Sequence, residues 1–334
     1  MSEKWELHDP AHGPKLVDRV LDDAQRRDVL EKTKGLPHLQ LDEGSISDVE
    51  NIATGVFSPL AGFMGREDFH HVLNEMRLSN DIPWTIPIVL DVDKGEAARL
   101  KAGRDVVLAG EEGDPIAVLH LEEKYDYDRE EMARKVLGTT DSAHPGAAKV
   151  LGLKDVLLSG KIDLFRETPT PYGRFKLSPR ETRVLFKEKG WRTVAGFQTS
   201  GTPHLGRESM RKPALAFIDG LFLSPVVEKN QKGPDKDEVI LASCEEHLKD
   251  PYWKQRAVMA VLQLQTRHAG PREAVFHALI RKNFGCTHII IDRDRAGAGN
   301  YYHPFAAQDI FEEFPDLGIV PLFFRGDGRD PFHE

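Results

Sequence analysis

Between Arg272 and Ile291 the chain spells out one complete helix-to-strand step, and no other stretch constrains the fold as strongly. Apolar residues recur at amphipathic helical spacing from Arg272 to Asn283, Gly285 supplies a stop, and Thr287–Ile291 (THIII) is a β-branched run of strand length. The same rhythm occurs upstream. Ser178-Pro179-Arg180-Glu181 is a capping box with proline at the first helical position, so a helix is expected from Pro179 to a stop at Gly190, followed by a strand at Thr193–Phe197. A further strand is expected within Arg256–Leu262. Strands and helices that alternate in this way predict an α/β domain with a mainly parallel sheet and right-handed crossovers, whose ligands bind beyond the carboxyl ends of the strands.

The first half reads differently. A charged helical stretch is expected around Pro14 to Thr33, and another helix near Arg66–Arg77. Trp84–Val92, Asp105–Ala109 and Pro115–Leu121 are strand candidates separated by Gly, Asp and Lys turns, which suggests a small β-rich domain. The proline-rich run Glu167–Gly173 (ETPTPYG) is the expected linker, giving domains over 1–166 and 167–334. A length of 334 residues fits two such units.

Composition narrows the function classes. A net charge of −9 argues against general nucleic-acid binding, which relies on a basic surface, but leaves room for a local anion site. No apolar run is long enough for a membrane helix, and the first residues lack the pattern of a secretory signal, so a cytoplasmic protein is expected. Cys244 and Cys286, the two cysteines, have no zinc-ligand spacing; they are expected to be core thiols, with no protein-bound zinc.

Three segments carry residues suited to chemistry. Gln198 to Glu208 (QTSGTPHLGRE) follows an expected strand and combines small residues with His204 and Arg207, three positions apart. At a strand-to-helix turn such residues can hold a polyphosphate, though an ordinary polar turn with a helix cap has the same composition. Asp292 to Tyr302 (DRDRAGAGNYY) also follows an expected strand, and reads either as a charge-binding, glycine-rich turn or as a solvated cluster of Asp–Arg pairs. In Thr266–Glu273, Arg267 and Arg272 can face phosphates or pair with Glu273 at a helix start. His277, His288 and His303 show no pattern that assigns them chemistry.

Together these segments resemble the ATP sulfurylase (sulfate adenylyltransferase) family in order and spacing. Ala269–Phe311 is similar to that family's stretch from its AGPREA helix through its GRDHAG turn, and Gly55–Met64 (GVFSPLAGFM) and Trp84–Pro87 (WTIP) resemble motifs of its first domain. The resemblance covers roughly residues 20 to 325. It implies a PUA-like domain followed by a Rossmann-like nucleotidyltransferase domain, in which sulfate attacks the α-phosphorus of Mg2+-ATP to give adenosine 5′-phosphosulfate and pyrophosphate without a covalent enzyme intermediate. It also implies a homo-oligomer and, in most of the family, a small C-terminal subdomain beyond the position where this sequence stops.

Carried onto matching positions, the resemblance implies that His204, Arg207, Arg293 and Arg295 surround the phosphates. It assigns Gln198, Thr199, Ser200 and Ala296 to the acceptor, and Gly201, Arg293, Asp294, Gly297 and Val320 to the nucleotide. Several of these depart from the family pattern. Ser200, Gly201 and Arg207 stand where the family has Arg, Asn and His; Asp292 and Arg295 stand for Gly and His of the GRDHAG turn; and Ser224-Pro225 stands for its His-Pro motif. Losing the arginine at position 200 removes a charge-assisted bond worth roughly 1.5–3 kcal/mol, for which Arg207 and Arg295 offer replacement charge. The departures open two alternatives: a nucleotidyltransferase for another oxyanion, a phosphonate or an organic acid, and a non-catalytic nucleotide or anion binder.

Overall fold

The computed structural model describes residues 11–199, 216–227, 234–291 and 301–323. Its first half contains β1 (His38–Gln40), β2 (Gly62–Phe63), β3 (Leu90–Val92), β4 (Arg104–Ala109), β5 (Pro115–Asp126) and β6 (Val156–Leu164). These make one sheet in the order β1-β4-β5-β6-β2, with β3 also paired to β6. The β1–β4 pair is parallel and the others antiparallel. The expected strand over Trp84–Val92 is shortened to its last three residues. Pro83 and Pro87 offer no amide hydrogen to a ladder, and the fully buried Trp84 donates its indole N–H to the Ile86 carbonyl at 2.7 Å. The helix expected around Pro14–Thr33 runs only over Asp23–Lys32, where Asp22 and Gln25 close a capping box. A helix over Glu43–Ala53 has no counterpart in the sequence reading; its buried Asp48, Glu50 and Asn51 break the apolar periodicity.

The second half is built on β7 (Val194–Thr199), β8 (Gly220–Val227), β9 (Ala257–Met259), β10 (Leu262–Gln263), β11 (His288–Ile291) and β12 (Val320–Phe323). The sheet order is β10-β8-β7-β11-β12, with β9 also on β8, and every pair is parallel. The single strand expected at Arg256–Leu262 is two short ones. The helix Pro179–Glu188 starts on the expected capping box, and Gly190 follows its end at φ 70°.

Side chains alternate across this sheet. Ala195, Phe197, Leu221, Leu223 and Ile290 pack on Trp253 and Ile218, whereas Val194, Phe222, Ile289 and Ile291 join a core shared with the first half. That shared core explains one correction. The helix Pro271–Asn283 is not amphipathic at a surface; residues Glu273 to Arg281 and Asn283 are all buried, because it is wedged between the sheet and the N-terminal half. Phe276 on this helix meets Phe57 and Trp84, with ring centroids 5.3 Å and 5.5 Å away. Asn283 accepts the His12 amide at 2.8 Å and donates to the Val56 and Ser58 carbonyls at 2.9 Å each.

Candidate functional site

The chain builds β7, places β8 to one side, continues to β9 and β10 beyond β8, and then returns across the sheet to lay β11 on the other side of β7. The order therefore reverses between β7 and β11. In open parallel sheets, such a switch point opens a crevice beyond the carboxyl ends, because the two connections leave in opposite directions. Here β7 ends at Thr199 and β11 at Ile291, and Ala195 and Gly196 pair with His288 and Ile289. Adjacent strands are spaced about 4.8 Å apart, so Thr199 and Ile291, the last described residues before the two candidate segments, end neighbouring strands at the same edge of the sheet. The two strand ends that precede the candidate segments, more than ninety positions apart in sequence, are thus neighbours.

Of the sequence-predicted site residues, Gln198 and Thr199 end β7, and Gln198 is 8% exposed. In parallel register Gln198 pairs with Ser224 and Thr199 with Pro225. His204, Arg207, Ser200, Gly201, Arg293, Asp294, Arg295, Ala296 and Gly297 lie outside the described residues. Val320 is at the wrong end. It opens β12 opposite His288, while Phe323 is the residue level with Ile291 at the carboxyl edge, so the nucleotide role expected for Val320 is not supported by its position.

The third segment also finds a different role. Arg267 makes a two-pronged ion pair with Asp48 of the N-terminal half, both oxygens at 2.7 Å. Burial, opposed by the Arg267 charge, raises the Asp48 carboxyl above the usual range. Arg272 donates to the Val72 and Leu73 carbonyls at 3.0 Å each, and burial lowers its guanidinium to about 10. Glu273 accepts the backbone N–H groups of Arg267 and Ala269, 2.9 Å each. These side chains therefore join the domains rather than face a phosphate. Cys244 and Cys286 are buried thiols as expected, and burial pushes the Cys286 thiol up to about 12.

One cation near Gln198 was not singled out in the sequence. Arg281, fully buried, crosses behind β7 and donates to the Ser224 hydroxyl from Nε at 3.0 Å and Nη2 at 2.7 Å. The available signal was an arginine directly after the apolar run Ala278-Leu279-Ile280, a place where a charge needs a dedicated partner. A separate cavity of about 420 Å³ lies beyond β8 and β10, lined by Val227, Gln263, Gln265, Glu43 and Ser47, away from the switch point. Among the described residues, no group of three or more His, Cys, Asp or Glu side chains is arranged to hold a metal, and no helix is long and apolar enough to cross a membrane.

Comparison with known proteins agrees with this architecture. A PUA-like domain model matches residues 9–167 and an ATP-sulfurylase model residues 173–326. The chain is 52% identical to a sulfate adenylyltransferase of Hyperthermus butylicus over 314 residues, covering 94% of this chain and 80% of that protein. It is 51% identical to the corresponding protein of Pyrococcus abyssi, covering 94% and 82%, and 45% identical to that of Halothermothrix orenii, covering 94% and 83%. A solved structure of a hexameric APS kinase from Thiobacillus denitrificans superposes with a TM-score of 0.75 at 22% identity. That match covers 95% of this chain but only 57% of the other, and it speaks to the fold alone. With half its residues identical to such relatives along nearly its whole length, and with a PUA-like domain leading into a parallel nucleotidyltransferase-like sheet, the chain belongs to the ATP-sulfurylase family.

Proposed function

We propose that the chain transfers AMP between ATP and sulfate, so that ATP and sulfate give adenosine 5′-phosphosulfate and pyrophosphate, in either direction. The observation that carries this reading is that β7, ending with Gln198 and Thr199, and β11, ending at Ile291, are neighbours at the switch point of the parallel sheet, in a chain whose relatives bear the name sulfate adenylyltransferase. Mg2+ enters with ATP as part of the substrate. A sulfate oxygen attacks the α-phosphorus in line with the departing pyrophosphate, and no enzyme nucleophile is required. The protein contributes position and positive charge. His204, Arg207, Arg293 and Arg295 neutralise the phosphates; Gln198, Thr199, Ser200 and Ala296 hold the acceptor; Gly201, Asp294 and Gly297 line the nucleotide. We place the domain division at residues 166 and 167, and the enzyme in the cytoplasm as a homo-oligomer.

A second reading, transfer to another oxyanion, a phosphonate or an organic acid, is favoured by Ser200, Gly201 and Arg207 in place of the family's Arg, Asn and His. Following pyrophosphate release from Mg2+-ATP with sulfate, selenate, molybdate, phosphite and simple phosphonates separates the two. Release with sulfate supports the first reading, and release only with another acceptor supports the second. Silence with every acceptor while nucleotide still binds points to a non-catalytic binder. Because an arginine presents a fixed cation and a planar fork of donors, Arg207→Ala and Arg295→Ala are each expected to weaken acceptor or pyrophosphate binding by more than about 1 kcal/mol with the fold intact. Unchanged binding in both variants would remove them from the site.

A further inference from the structure

We propose that Arg281 and Ser224 form a positioning pair for the acceptor, in which Arg281 makes the Ser224 hydroxyl an obligatory hydrogen-bond donor to a tetrahedral oxyanion. The inference rests on the adenylyl-transfer reading, which it extends to a residue outside the segments that carried that reading.

The geometry begins at Gly196. A Cβ there would lie 2.6 Å from Arg281 Cγ and 3.1 Å from its Cβ, so only glycine at this point of β7 lets the arginine stem pass across the strand. The guanidinium thereby reaches β8 on the face that Val194 and Phe222 share with the helix Pro271–Asn283. Ser224 is in register with Gln198, and their side chains point to the same face of neighbouring parallel strands, one position short of the last β7 residue.

Arg281 approaches Ser224 Oγ with two donors, Nε at 3.0 Å and Nη2 at 2.7 Å. A serine hydroxyl has two acceptor lone pairs and one proton. With both lone pairs engaged by one cation, the hydroxyl has only its proton to offer, directed away from the guanidinium. Among the described residues Ser224 Oγ accepts these two bonds and donates none. The adjacent positive charge strengthens it as a donor, and at 1% exposure of Ser224 water does not compete for it. An oxygen of an anion held beside Gln198 is the matching partner. Arg281 acts only through Ser224, so it is a positioning residue.

The test compares wild type with Ser224→Ala and Ser224→Thr by titration calorimetry of sulfate in the presence of a non-transferable ATP analogue, together with steady-state kinetics. Arg281→Lys is a second probe, and Ser224→Ala carries the test if that variant does not fold. Ser224→Ala is expected to raise the sulfate dissociation constant and KM about tenfold, leaving the ATP KM within about twofold, whereas Ser224→Thr retains most of the affinity. Sulfate constants equal to wild type in Ser224→Ala, a loss falling equally on ATP and sulfate, or a wild type that binds neither sulfate nor phosphate each overturns the proposal. Wild type that binds sulfate but turns over no acceptor contradicts the reaction proposed above instead, and the affinity comparison still decides the role of Ser224.

Discussion

Replacing Phe276 by alanine is expected to destabilise the chain by on the order of 3–5 kcal/mol and to separate the unfolding of its two domains. Phe276 is completely buried on the helix Pro271–Asn283, and its ring meets Phe57 at 5.3 Å and Trp84 at 5.5 Å, the latter edge to face. Those two partners belong to the N-terminal domain and touch each other with centroids 6.3 Å apart. Truncation therefore removes the large transfer term of the ring and leaves a cavity in the core that both domains share. Each lost aromatic pairing adds roughly 0.5–1.5 kcal/mol. Phe276→Leu retains most of the volume and is expected to cost about half as much or less. Differential scanning calorimetry checks both statements: a single transition in wild type should split or broaden in Phe276→Ala, and an unchanged midpoint would show that the domains do not depend on this contact.

Asp48→Ala is expected to cost about 3–5 kcal/mol by a different route. Its carboxylate pairs with Arg267 through both oxygens at 2.7 Å, with the two side chains 8% and 14% exposed. Burial already raises the Asp48 carboxyl, so the surroundings are costly for charge and the pair is not a large net source of stability. Removing one member is another matter, because it leaves the Arg267 guanidinium in the same surroundings without its paired carboxylate. Replacing both, as Asp48→Leu with Arg267→Met, removes both charges at once and is expected to recover the stability to within about 1 kcal/mol of wild type. Denaturant unfolding of the single and double variants measures the difference. A double variant as unstable as Asp48→Ala would mean that the pair contributes more than its own burial costs.

How much could be read from the sequence depended on whether a segment's partners were local. The helix at Pro179 was legible because its capping box is written within four residues, and β7 and β11 were legible as short apolar runs beside glycine and charge. β8 was not, since Pro225 within Gly220–Val227 argues against a central strand. It is tolerated in register with Thr199, at the carboxyl end where the sheet opens to the site. β6 was missed for a similar reason: Gly160 interrupts Val156–Leu164, although this strand pairs with β2, β3 and β5. Arg267 and Arg272 illustrate the limit for the site. Their sequence context suits phosphate binding and domain packing alike, and only the placement of Asp48, Val72 and Leu73 decides for packing. Arg281 was illegible as a site residue because its partner Ser224 is 57 positions away. The position of Gln198 at the strand end, by contrast, was set by local pattern, and the switch point gives that position its meaning.

The most direct measurement is product identification after incubating the purified chain with Mg2+-ATP and sulfate, with an inorganic pyrophosphatase present to draw the reaction forward. The account predicts adenosine 5′-phosphosulfate accumulating with two phosphates released for each molecule formed, and ATP reappearing when adenosine 5′-phosphosulfate and pyrophosphate are supplied without the pyrophosphatase. ATP consumed to AMP only with a different acceptor, or no nucleotide converted in either direction by a folded, nucleotide-binding chain, would contradict it.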